Sequence, residues 1–129
     1  MTRRTVLVVE DFEDNLAILR DLLTHAGYDV VEAADGEAGV SKARAIRPDL
    51  IVMDLQLPVL DGYEATRLIR RQAGLGAVPI IAVTSFALPG DEEKARGAGC
   101  DHYVTKPFSP RELLATIRNF LGEGASGGP

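Results

Sequence analysis

The chain is short of the features that mark several common functions. Among its 129 residues there is a single cysteine, Cys100. No internal disulfide can form, and the expected compartment is a reducing cytoplasm. Its two histidines, His25 and His102, lie far apart without metal-ligand spacing, so a zinc site is not expected. No apolar run approaches the roughly 20 residues that span a bilayer. The stretch after Met1-Thr2-Arg3-Arg4, Thr5 to Val9, is too short for the core of a signal peptide. Membrane insertion is therefore not expected. Positive charge is also scarce, with 14 Lys and Arg against 19 Asp and Glu, for a net charge of −5. Phosphate backbones are held mainly by Lys and Arg, so direct nucleic-acid binding is not expected. Gly74 and Gly76 match no phosphate-cradling motif.

What is present is the balance of a soluble globule: 46 % apolar and 26 % charged residues. The length suits one domain. A chain of this size buries roughly two-thirds of its unfolded surface and needs no disulfide or metal to hold a core. No stretch of helix-turn-helix size is left over, so a second, output domain is not expected.

Two apolar periods alternate along the chain. Val6-Leu7-Val8-Val9, Leu50-Ile51-Val52-Met53 and Ile80-Ile81-Ala82-Val83 are short runs without polar alternation. Runs of that kind predict strands buried on both faces, as in a parallel sheet. Tyr28 to Glu32 and Asp101 to Thr105 are mixed in character and suit sheet edges. Between the strands, apolar residues recur at three- and four-residue spacing. Leu16, Leu19, Leu22, Leu23 and Ala26 predict one helix, stopped by Gly27. Val40, Ala43 and Ile46 predict a second, ended by Pro48, and Ala65, Leu68 and Ile69 a third, opened by Asp61-Gly62. Asp91 to Arg96 is a short polar helix closed by Gly97 and Gly99. Ser109-Pro110-Arg111-Glu112 is a capping box that opens a last helix with Leu113, Leu114, Ile117 and Leu121. Five strand–helix repeats predict an α/β fold: a doubly wound, five-stranded parallel sheet with helices on both faces. Residues 122–129 are Gly/Ser-rich and read as a flexible tail.

In open parallel sheets, sites form beyond the carboxyl ends of the strands. There the sequence places Glu10 and Asp11, Asp54, Thr84 and Ser85, and Lys106. Each alone has an ordinary explanation, since acidic residues after strands often cap helices. Together they are three carboxylates, a hydroxyl and an ammonium at one end of one sheet. Crowded carboxylates repel unless a cation sits among them. Hard, carboxylate-rich oxygen ligands suit Mg²⁺. A carboxylate can also attack phosphorus, and metal, ammonium and hydroxyl then stabilise the phosphoryl oxygens.

These stretches carry a resemblance. Val8-Val9-Glu10-Asp11, Pro48 through Asp54, Leu57-Pro58, Asp61-Gly62, Val83-Thr84-Ser85 and Lys106-Pro107-Phe108 resemble the receiver domains of bacterial two-component response regulators, over about residues 5–121. The resemblance implies a receiver domain over residues 1–121 with the flavodoxin-like strand order 2-1-3-4-5. It implies that Asp54 is the phosphoacceptor. Glu10, Asp11, Asp54 and the backbone carbonyl of Gln56 would hold Mg²⁺. Thr84 would be the switch hydroxyl, Lys106 the phosphoryl-pairing lysine and Tyr103 the aromatic switch residue. The Lys106-Pro107 bond would be cis. The donor would be a phosphohistidine on a sensor histidine kinase or a histidine phosphotransfer protein. Phosphorylation would shift the fourth helix, fifth strand and fifth helix, and a downstream protein target would read that face. A homodimer through the same face is among the partners implied. Such a protein is not a turnover enzyme: it catalyses its own phosphoryl transfer and slow self-dephosphorylation only.

The residue after Thr84 is Ser85, where many receivers have alanine. Phe86 then follows, read as packing under its loop. Together with Gln56 it would alternatively limit attacking water and lengthen the life of the acyl phosphate. The segment from Thr84 to Cys100 resembles stand-alone receivers of cell-cycle phosphorelays. A receiver carried within a hybrid kinase is an alternative. A flavin carrier is disfavoured because Glu10-Asp11 would repel its phosphate. An Asp-nucleophile phosphatase is disfavoured because Glu10-Asp11-Phe12 is not Asp-x-Asp. Arg67, Arg70 and Arg71 read as a solvated helix face, and Cys100 as a small buried hydrophobe.

Overall fold

The computed structural model describes residues 3–85 and 88–123. Five strands alternate with five helices. They are β1 (Thr5–Val9), α1 (Glu13–His25), β2 (Asp29–Ala33), α2 (Gly36–Ile46), β3 (Leu50–Asp54), α3 (Gly62–Arg70), β4 (Ile80–Thr84), α4 (Asp91–Ala98), β5 (His102–Thr105) and α5 (Pro110–Phe120). All strand pairs are parallel, in the order β2-β1-β3-β4-β5.

The central strands β3 and β4 are buried at every residue, and β1 at all but Thr5, while β2 and β5 at the edges are only partly covered. Alternate side chains along each strand enter two different cores. Leu7, Val9, Ile51, Met53, Ile80 and Ala82 pack under α2, α3 and α4. Val6, Val8, Leu50, Val52, Ile81 and Val83 pack under Leu16, Leu19 and Leu23 of α1 and Leu113 and Ile117 of α5. Each fully buried Leu or Ile contributes about 1.5–3 kcal/mol of transfer free energy. Among the described residues, no helix is long and apolar enough to cross a membrane.

Several boundaries depart from the sequence reading by a residue or two: β2 runs Asp29–Ala33 rather than Tyr28 to Glu32, and two other shifts have a local cause. Gly97 does not close α4; the helix runs through it to Ala98 and stops at Gly99, whose φ of +118° is a left-handed C-cap. The last strand begins at His102, because Asp101 turns its carboxylate back onto the Ile80 and Arg70 nitrogens. The expected tail lies outside the described residues from position 124 onward.

Helix α4 is anchored by small side chains. Only Ala95 and Ala98 are buried, and its N-cap Gly90 supplies no side-chain hydrogen bond. By contrast Asp35, Asp61 and Ser109 each accept an amide N–H at the starts of α2, α3 and α5.

Candidate functional site

Register decides what meets at the carboxyl edge. Val9 pairs with Met53, and Asp54 with Val83, so the ends of β1, β3 and β4 lie side by side. Glu10 and Asp11 follow β1, Asp54 ends β3 and Thr84 ends β4. Carboxylate oxygens of Glu10, Asp11 and Asp54 all lie within 4.8 Å of one another. Glu10 and Asp54 are buried and Asp11 is exposed, so the cluster opens to solvent on one side. Asp11 is not a helix cap: the N-cap of α1 is Phe12, which makes no side-chain capping bond.

The Lys106 ammonium reaches this cluster from beyond β5. It donates to Glu10 Oε1 at 2.7 Å and to Asp54 Oδ2 at 3.5 Å. Its side chain is 12 % exposed, so both ion pairs are largely shielded from water. The following Lys106-Pro107 peptide bond is cis. The Gln56 amide donates to the other Asp54 oxygen, Oδ1, at 3.0 Å. Burial, the hydrogen bond that a protonated Asp54 carboxyl donates to Glu10 and the Glu10 charge push the Asp54 carboxyl up to about 7, against opposing pulls from the Gln56 amide and Lys106. One ammonium does not neutralise three carboxylates. The donor set is hard oxygen, anionic and open on one side, and it fits a divalent cation such as Mg²⁺. Glu10, Asp11 and Asp54 are the residues that would hold it; among the described residues, no other cluster of this kind occurs.

Thr84 is fully buried. Its Oγ1 accepts from the Gln56 side-chain Nε2 at 2.6 Å, and Gln56 Oε1 accepts from the Ser85 amide at 3.1 Å. The Gln56 side chain thus crosses from the end of β3 to the end of β4. Nothing in the periodicity marks that bridge. Tyr103 is half-buried on β5 and packs against the α3–α4 core. Its hydroxyl is buried and has no hydrogen-bond partner among the described residues. Nearby, the Lys94 ammonium of α4 sits 4.3 Å from the Tyr63 ring centre. Phe86 lies outside the described residues.

Close approach shapes the cleft as well. Gly62 opens α3 against the β3 backbone; a Cβ there would overlap the Asp54 carbonyl oxygen and lie 2.7 Å from Leu55 Cα. The Asp61-Gly62 pair is therefore both a cap and a spacer.

The reading of Arg70 as part of a solvated face is wrong. Its side chain is 17 % exposed, and its guanidinium donates to the carbonyls of Gly99, Leu75 and Val78 and to Asp101. It ties the end of α3 to the loops on either side of β4 and α4. Spacing on a helix cannot show this, because the acceptors come from two loops. Cys100 is buried beside Thr66, and burial pushes its thiol up. It remains a small core residue.

Comparison with known proteins agrees with this geometry. The family model of the response regulator receiver domain matches residues 6–118. The polar-differentiation response regulator DivK of Brucella anthropi is 42 % identical over 120 residues, covering 93 % of this chain and 98 % of that protein. The receiver domain of the sensor histidine kinase PA1611 of Pseudomonas aeruginosa, solved with magnesium in its active-site cleft, superposes with a TM-score of 0.88 at 43 % identity, covering 95 % and 100 % of the two chains. The chemotaxis protein CheY4 of Vibrio cholerae superposes at 0.87 with 31 % identity, covering 92 % and 99 %. Sheet order, acidic cleft and sequence similarity agree over nearly the whole chain: the protein belongs to the response regulator receiver family and acts in phosphorylation-dependent two-component signalling.

Proposed function

We propose that Asp54 accepts a phosphoryl group from a phosphohistidine of a sensor histidine kinase or a histidine phosphotransfer protein. The observation that carries this reading is the Lys106 ammonium held between Glu10 and Asp54 in a shielded cleft. In the transfer, an Asp54 carboxylate oxygen attacks phosphorus, the P–N bond breaks and the imidazole leaves with the electron pair. Lys106 compensates negative charge on the phosphoryl oxygens, and Thr84 offers a hydroxyl from β4. A Mg²⁺ ion held by Glu10, Asp11, Asp54 and the Gln56 carbonyl would supply the remaining charge compensation.

An apolar apron borders the cleft and supports a protein donor. Asn15, Ile18, Ser85, Lys106, Pro107, Phe108 and Pro110 line a depression of about 450 Å³. Ile18 in its lining is about half exposed, at 52 %. The output is read by a downstream protein on the α4–β5–α5 face, where α4 is thinly anchored and free to repack. Homodimerisation through that face is a separate outcome, read by light scattering with and without a phosphoryl analogue. The protein is a cytoplasmic switch, not a turnover enzyme. One observation favours a second reading, a receiver carried by a hybrid kinase: the 43 % identity to the kinase receiver. Its site chemistry would be the same.

The test is intact-protein mass after incubation with acetyl phosphate, with and without Mg²⁺, on the wild type and Asp54→Asn. The expected result is one Mg²⁺-dependent phosphoryl adduct, absent from Asp54→Asn and released by hydroxylamine. A stable adduct on Asp54→Asn, or multiple turnover of a phosphate ester, would overturn the reading.

A further inference from the structure

The Gln56 side chain makes two hydrogen bonds that the acceptor chemistry does not use. Nε2 donates to Thr84 Oγ1 at 2.6 Å and Oε1 accepts from the Ser85 amide at 3.1 Å. Its backbone amide meanwhile holds Asp54 Oδ1 at 3.0 Å. Residue 56 is thus fixed at both ends: its main chain on the carboxylate, its carboxamide on the end of β4. Asp54 pairs with Val83 in the ladder, so Thr84 and Ser85, which hold the carboxamide, follow directly beside the end of β3 that carries Asp54.

We infer that the Gln56 carboxamide is a latch on the unphosphorylated state, competing with the phosphoryl group for the end of β4. This rests on the reading of Asp54 as phosphoacceptor and Thr84 as its hydroxyl partner. The latch holds Thr84 Oγ1 as an acceptor and engages the Ser85 N–H with a neutral oxygen. A phosphoryl oxygen on Asp54 would claim the same Ser85 N–H, whereas the Thr84 hydroxyl can donate to it while still accepting from Gln56. One N–H cannot serve both oxygens, so the free energy of the Ser85–Gln56 hydrogen bond is subtracted from activation. Gln56 in this role is a positioning residue, acting through Thr84 and Ser85.

A latch and a structural brace predict different signs. Gln56→Ala removes the competitor and should tighten binding of the phosphoryl analogue beryllofluoride, at saturating Mg²⁺, by about two- to tenfold, the worth of one exchanged hydrogen bond. Gln56→Glu keeps an acceptor for the Ser85 amide and sets a negative charge in the gap. It should weaken the analogue by at least a similar factor. In the metal-free, unphosphorylated protein, Gln56→Ala should speed hydrogen exchange of the Ser85 amide, whereas Gln56→Glu should not. Weaker analogue binding in both variants, or unchanged binding and unchanged Ser85 exchange in Gln56→Ala, would overturn the latch. Failure of the wild type to bind beryllofluoride at all would instead overturn the acceptor reading on which it rests.

Discussion

Lys106 Nζ lies 2.7 Å from Glu10 Oε1 and 3.5 Å from Asp54 Oδ2, so the ammonium is seated on the neighbour of the proposed phosphoacceptor. Glu10 is 1 % exposed at its side chain and depends on that ammonium for its charge compensation. Removing one partner of a buried pair leaves the other uncompensated. Lys106→Gln should destabilise the metal-free protein by about 3 kcal/mol at pH 8. The loss should shrink at pH 5, where Asp54 holds a proton and no longer adds to the uncompensated charge. Urea unfolding at the two pH values measures it; an equal loss at both would mean that the lysine acts by packing alone.

Asp54 sets a pH dependence of opposite sign to that of an ordinary paired carboxylate. Its carboxyl is raised from 3.8 to about 7, chiefly by burial and by Glu10. Between those values the native protein holds a proton that the unfolded chain has released. Its contribution to stability is therefore full below about pH 4 and is lost as pH rises to about 7. Metal-free protein should show this loss in thermal unfolding, and Asp54→Asn should flatten the profile.

The same proton competes with a metal. Divalent-cation affinity should rise about tenfold per pH unit below pH 7 and level off above it. Titration calorimetry with Mg²⁺ at pH 6, 7 and 8 reads the slope. A flat profile would place the ionisation of Asp54 well below this range.

Gly62 is a spacer between α3 and β3, the strand that ends in Asp54. Gly62→Ala must push the helix off the Asp54 carbonyl, at about 1–3 kcal/mol, the usual cost of overpacking. Adduct formation on Asp54 should slow as well, because the displaced backbone carries the carboxylate. Denaturant melts and the mass assay read the two effects separately.

Arg70 should be worth more than any surface arginine. Arg70→Ala strips the Gly99, Leu75 and Val78 carbonyls of their donor and should cost about 2–4 kcal/mol. Arg70→Lys should recover only part, since an ammonium cannot match the fork. Arg67→Ala, which loses an exposed pair with Glu64, should cost under about 0.5 kcal/mol in the same melt.

The alternation of buried runs and amphipathic helices by itself determined the α/β class, the five strands and which of them lie at the edges. That alternation is one-dimensional and survives in the order of residues: Val52 and Ile81 read as strand whatever lies beside them. The strand-end rule likewise picks out Glu10, Asp11, Asp54, Thr84 and Lys106 from the order of residues alone. Strand order came with the family resemblance, since periodicity is blind to which strand lies next to which. Only the tertiary structure decided the pairings across loops. Lys106 chose Glu10 over Asp54, Gln56 reached Thr84 and Ser85, and Arg70 turned inward onto Gly99 and Val78. These contacts join residues up to 96 positions apart. They depend on ångström-scale strand register and loop course, and a polar side chain carries no periodic signal of which distant atom it will meet.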